Sequence, residues 1–119
     1  MPAQRVYAHP AIAADTGSVA IQRGPLVYCL EQADQQVPLD RVALPQSAEL
    51  AASFAPELVS GVVTLAGAAQ ALDDAGWEGT LYRTAAPATR PSSITAIPYY
   101  AWDHRAPGRM RVWVRETER

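Results

Sequence analysis

The segment Gln22-Arg23-Gly24-Pro25-Leu26-Val27-Tyr28-Cys29-Leu30-Glu31 decides the fold class. Leu26 to Glu31 is a short run of aliphatic and aromatic side chains bounded by Gly-Pro, a composition that fits a pleated sheet better than a helix. Upstream, Val19-Ala20-Ile21-Gln22 reads as a strand, interrupted by Arg23-Gly24-Pro25. Asp15-Thr16-Gly17-Ser18 supplies a turn before it, since glycine accepts positive φ and Asp or Ser can bond back to the backbone. Arg5 to His9 is a further short strand, closed by Pro10.

Working outward in the other direction, Leu39 to Leu44 reads as a strand between Pro38 and Pro45. Residues 46–55 have good helix propensity and a period near 3.6, which predicts one short helix, with a strand as the alternative. Val62-Val63-Thr64-Leu65 after Gly61 is a β-branched strand. The alanine-rich stretch from Ala66 to Ala75 reads as a helical turn or, through Asp73-Asp74-Ala75-Gly76, a loop. Trp77 to Tyr82 is a weak strand, and Ala85 to Ser93 a Pro- and Ser-rich connection. Ile94 to Trp102 is a strand containing Pro98, which cannot donate to a ladder and so predicts an edge or a bulge there. Met110 to Val114 alternates, with Met110, Val112 and Val114 on one face and Arg111, Trp113 and Arg115 on the other. Seven or so short strands with regular turns predict an all-β, antiparallel β-sandwich, jelly-roll-like, filling residues 1–119 as a single domain.

Composition narrows the function. The chain has 119 residues, 49% hydrophobic and 18% charged, which excludes a disordered chain and allows one core. Its formal charge of −2 and pI of about 5.6 argue against a nucleic-acid partner. Every apolar run is far shorter than a membrane span needs, and no basic leader precedes an apolar core, so the expectation is a cytoplasmic protein without a membrane partner. Lysine and asparagine are absent from the sequence. Both use AT-rich codons, so this reflects GC-rich coding and not arginines selected for phosphate. Cys29 is the single cysteine, so no intrachain disulfide or cysteine-rich zinc site can form, and its apolar setting predicts a buried, unreactive thiol.

Two blocks, Gln22 to Glu31 and Ile94-Thr95-Ala96-Ile97-Pro98-Tyr99-Tyr100-Ala101-Trp102, resemble motifs of the β-L-arabinofuranosidase family of glycoside hydrolases, family 127, formerly a domain of unknown function. Arg109-Met110-Arg111-Val112-Trp113 resembles the strand that closes the same region. The resemblance covers essentially the whole chain. It implies the C-terminal β-sandwich of such an enzyme, an accessory domain. The chemistry would belong to a preceding (α/α)6 barrel, with a cysteine nucleophile beside a zinc held by cysteines and a glutamate, none of it present here. The chain is thus expected to be a fragment, with the catalytic barrel or a second copy of itself as partner and with no cofactor or metal of its own. Where the family has Ala-Asn-Arg after Tyr-Tyr-Ala-Trp, this chain has Asp103-His104-Arg105. The resemblance also marks Arg23, Gly24, Pro25, Tyr28, Glu31, Pro98 and Trp113 as motif residues with structural roles.

The candidate chemistry is thin. A glycosidase needs two facing carboxyl groups roughly 5–9.5 Å apart. Glu31 with Asp34, and Asp73 with Asp74, are the pairs at hand; the second reads as turn chemistry, and Glu31 as a partner for Arg23 or a loop cap. His9 reads as a loop residue, and His104 beside Asp103 has only Ser92 or Ser93, in a connecting stretch, as a conceivable nucleophile. The alternative to an accessory role is a carbohydrate-binding module, stacking sugars on Tyr99, Tyr100, Trp102 and Trp113 with Asp103, His104 and Arg105 bonding the hydroxyls. Surface that meets an absent barrel is expected to be apolar and exposed, favouring self-association.

Overall fold

The break expected at Arg23-Gly24-Pro25 is the turn of a hairpin that anchors the architecture. Strand β2 (Ser18–Arg23) pairs antiparallel with β3 (Leu26–Glu31), with Arg23 opposite Leu26 across a two-residue turn. Gly24 has φ +59°, at the first central position, where a type II′ hairpin requires glycine. A computed structural model describes residues 2–12, 17–35, 37–58, 61–73, 88–102 and 108–117.

The other strands are β1 (Ala3–Tyr7), β4 (Val42–Pro45), β5 (Ala51–Ala55), β6 (Val62–Asp73), β7 (Ala88–Pro98), β8 (Met110–Arg111) and β9 (Val114–Thr117). All-β is therefore the observed class, but the sheet closes on itself. Hydrogen bonding runs β2-β9-β4-β6-β7-β3 and returns from β3 to β2, a barrel of six strands, while β1, β5 and β8 add to its margins. The two facing sheets of the expected sandwich give way to this closed barrel, which removes edges that a sandwich would leave. The pairing is also not wholly antiparallel, because β4 and β9 run parallel, with Ala43 opposite Arg115.

Several local expectations are corrected. Residues 46–55 form no helix; β5 occupies Ala51–Ala55 and pairs with β6 from Ala51↔Ala66 to Ala55↔Val62. Alternation on β6 explains why pairing overrides propensity. Val62 and Thr64 point to one buried layer, while Leu65, Ala69 and Ala71 point to another. The alanine-rich stretch expected as a turn or loop instead continues β6 to Asp73, and residues 88–93, expected as a connection, are strand paired with it. Leu39–Arg41 is a 3₁₀ turn, so β4 begins only at Val42. The Trp77 to Tyr82 strand lies outside the described residues. β7 is an interior strand and Pro98 is in no bulge, but the ladder with β6 stops at Leu65↔Ala96, which leaves Pro98 paired on the β3 side alone. It is the last residue of β7, opposite Tyr28, where the strand gives way to the 3₁₀ turn Tyr99–Ala101. The predicted strand 110–114 divides at Val112-Trp113, β8 pairing with β3 and β9 with β2 and β4.

Two cores result. The barrel interior holds Val19, Ile21, Tyr28, Leu30, Leu44, Leu65, Ala69, Ala71, Ile94, Ala96 and Val114. A six-strand barrel is narrower than the eight-strand type that side chains just fill, which suits alanine at three of these positions. A second layer packs outside the barrel wall, where Cys29, Val62, Ile97 and Ala101 meet Leu58, Trp102, Met110 and Val112. Gly67 shows how tight the wall is. A Cβ there would lie 2.8 Å from the Glu49 carbonyl oxygen and 2.7 Å from Leu50 Cδ2. Gly67→Ala is expected to cost about 2 kcal/mol through overpacking against backbone, lowering Tm by about 5–10 °C in a circular-dichroism melt.

Candidate functional site

The two motif blocks, nearly seventy residues apart in sequence, meet at one end of the barrel. The register Tyr28↔Pro98 places Val27 beside the Tyr99–Ala101 turn, and Leu26↔Arg23 brings the hairpin to the same end. Tyr28 is buried, 1% exposed, and donates its hydroxyl to the Val63 carbonyl at 2.8 Å. Burial raises its pKa above the usual 10, an effect that the neighbouring Arg23 guanidinium opposes and Tyr100 reinforces. The phenol therefore stays neutral and donates. Arg23 and Glu31 do not form the pair considered above. Leu26 is the residue opposite Arg23, and Glu31 lies five residues further along β3, roughly 16 Å away along the strand, beyond the reach of the two side chains.

The candidate chemical groups fall elsewhere. Glu31 is 1% exposed at the end of β3, with Asp34 on the 3₁₀ turn that follows. Two open grooves, of about 570 and 320 Å³, are lined by other residues, among them Ser47, Glu49, Gln70 and Arg90 in the first and Gln4, Arg5 and Leu50 in the second. A carboxyl only 1% exposed, lining neither of these grooves, offers a glycoside no approach among the described residues. Asp73 ends β6; Asp74, Asp103, His104 and Arg105 lie outside the described residues. His9 is exposed and its Nδ1 accepts the Ala11 N–H at 3.0 Å, the loop role expected of it. Ser92 and Ser93 lie within β7 and not in a connection. The Cys29 thiol is 2% exposed. Burial pushes its pKa up to about 11, with Glu31 and Asp34 adding to the shift, so the unreactive reading holds. Among the described residues, no group of three His, Cys, Asp or Glu side chains could hold a metal ion.

The aromatic group is split. Tyr99 is 47% and Tyr100 55% exposed, whereas Trp102 packs into the outer layer and Trp113 is half-buried. Successive residues of a 3₁₀ turn point about 120° apart, so the two exposed tyrosines make no flat platform for a sugar ring.

Sequence reasoning missed the polar clamp at the opposite end of β2. Arg5 donates Nη1 to Glu116 Oε2 at 2.8 Å and Nη2 to the Pro45 and Ala48 carbonyls at 2.8 and 2.7 Å. Tyr7 donates to the same Glu116 oxygen at 2.7 Å and Gln46 to its other oxygen at 3.2 Å. Burial raises the Glu116 pKa, but the bonds from Tyr7, Arg5 and Gln46 outweigh it and hold the carboxyl below its ordinary 4.5. A second device is Gln35. Its side chain donates to the Thr95 carbonyl at 2.8 Å and accepts the Thr95 N–H at 3.2 Å, standing in for a strand neighbour on β7. Only an inward-facing Glu on a C-terminal strand could have signalled the clamp, and nothing in the sequence names its partner.

Comparison with known proteins follows the same lines. The model of the glycoside hydrolase family 127 C-terminal domain matches residues 3–115. A non-reducing end β-L-arabinofuranosidase of Bifidobacterium longum is 35% identical, covering 97% of this chain and 18% of that protein. Among solved structures, a GH127 β-L-arabinofuranosidase from Geobacillus stearothermophilus T6 matches at 47% identity and TM-score 0.92, over 98% of this chain and 18% of its own. The GH127 β-arabinofuranosidase BT3674 matches at 35% identity and TM-score 0.83, over 98% of this chain and 17% of its own. The chain thus spans about a fifth of the length of these relatives.

Proposed function

Because the chain belongs to the C-terminal domains of glycoside hydrolase family 127, we propose that it is a non-catalytic accessory domain of a β-L-arabinofuranosidase-like hydrolase, bracing the catalytic part of that enzyme. The observation that carries this reading is the burial of Glu31, Cys29 and Glu116 among the described residues. Glu31 and Cys29 are sealed in packed layers, and Glu116 is bound by three donors. A group so held cannot approach a substrate, whereas the same rigidity suits a brace. The sugar-stacking alternative has no such support, since Tyr99 and Tyr100 diverge.

The test is a chimera in which this chain replaces the matching fifth of the Geobacillus stearothermophilus enzyme. The chimera is expected to hydrolyse a β-L-arabinofuranoside and to survive heating better than the same enzyme with that fifth deleted, while this chain alone releases no sugar. Free arabinose from the isolated chain, or a deletion as stable as the chimera, overturns the reading.

A further inference from the structure

Among the described residues, exposed large apolar side chains fall in three stretches of the chain. Val6 and Tyr7 lie on β1, with Ile12 just beyond it, but the Tyr7 hydroxyl is held by Glu116. Phe54 on β5 lies over Gly61, with its Cζ 2.7 Å from where a glycine Cβ would stand, so it already closes the β5–β6 turn. The third place is the motif end of the barrel, where Val27 (42% exposed) adjoins Tyr99 and Tyr100. It combines exposed apolar residues from β3 and from the 3₁₀ turn that follows β7. A polar defect lies at the same end of the barrel, beside Tyr28, on which both Arg23 and Tyr100 act. Among the described residues, Arg23 Nε is the buried side-chain nitrogen or oxygen atom without a hydrogen-bond partner. A buried donor left without an acceptor is costly, so this end of the barrel gains when an acceptor reaches it.

We propose that the Val27, Tyr99 and Tyr100 face is where the rest of the parent polypeptide docks, covering the tyrosines and bringing an oxygen acceptor to which the Arg23 guanidinium turns. This rests on the accessory-domain reading and gives it a location. The occupant follows from chain length. In each solved relative the same fold makes up about a fifth of a longer chain, so four-fifths of a covalently attached protein is available to cover one face. Interface cores are enriched in Tyr and Arg, and among the described residues this patch brings Tyr99 and Tyr100 to the end of the barrel that holds Arg23, whereas the grooves are lined by Glu49 with Arg90 or Arg5.

Hydroxyl-radical footprinting of the isolated chain and of the chimera tests it. Labelling of Tyr99 and Tyr100 is expected to fall about fivefold in the chimera, the ratio of half exposure to the near-complete burial of an interface core, with Phe54 unchanged. Tyr99→Ser with Tyr100→Ser is expected to lower the Tm of the chimera and leave that of the isolated chain unaltered. Equal labelling of the tyrosines in both proteins, with Phe54 or Tyr7 protected instead, overturns the location and leaves the accessory reading standing. Protection nowhere on the domain overturns both.

Discussion

Tyr28→Ala is expected to destabilise the domain by about 4 kcal/mol, lowering Tm by about 15 °C. The side chain is fully buried in the barrel core, so truncation removes a ring's worth of contacts in a wall that cannot collapse around the void. It also removes the donor to Val63 and the oxygen beside Arg23, the residue that already has one unsatisfied nitrogen. Tyr28→Phe separates the two contributions. It keeps the ring and is expected to cost only about 1–2 kcal/mol, the penalty for a lost hydrogen bond whose acceptor stays buried. Urea unfolding of both variants checks the ratio. Equal costs would mean that the hydroxyl, not the ring, holds this end of the barrel.

The strand that carries this ring is legible in sequence because its determinants are local. Gly24-Pro25 separates two apolar runs, so β2 and β3 are readable within fourteen residues, while continuous burial from Tyr28 to Glu31 leaves the inward face unmarked. The long β6–β7 ladder is different. Alanine favours a helix and Pro-Ser-Ser favours a loop, yet pairing from Leu65↔Ala96 to Asp73↔Ala88 satisfies both backbones at once and sets small side chains into a narrow interior. No window of residues contains that information. Barrel closure was equally hidden, since the parallel contact of β4 with β9 joins Ala43 to Arg115. Sequence patterning thus identified strands but not whether their sheet would close. The same division holds at the surface. The resemblance singled out Arg23, Tyr28 and Pro98 without showing that they share one end of the barrel, and the Arg5 to Glu116 contact spans 111 positions with no motif at either end.

That contact gives the domain its pH dependence. Glu116→Ala is expected to cost about 3 kcal/mol near pH 7, because it strands the Arg5 guanidinium, three-quarters or more buried, with only two carbonyl acceptors, and frees β1 from β9. The Glu116 pKa is lower folded than unfolded, so its contribution is fully present above the unfolded value near 4.5 and is lost as pH falls through the folded value. The stability gap between the parent and Glu116→Gln should therefore be constant from pH 7 down to about 5 and shrink below it. High salt should change the gap little, since the Glu116 side chain is only 8% exposed and poorly screened. Denaturant titrations of both proteins from pH 7 to pH 3 measure this directly. A gap that widened on acidification would mean that Glu116 is neutral in the folded state and that Tyr7, Arg5 and Gln46 grip an uncharged group. The clamp would then resist acid, and the tie between the first and last strands would rest on hydrogen bonds to a neutral carboxyl and not on an ion pair.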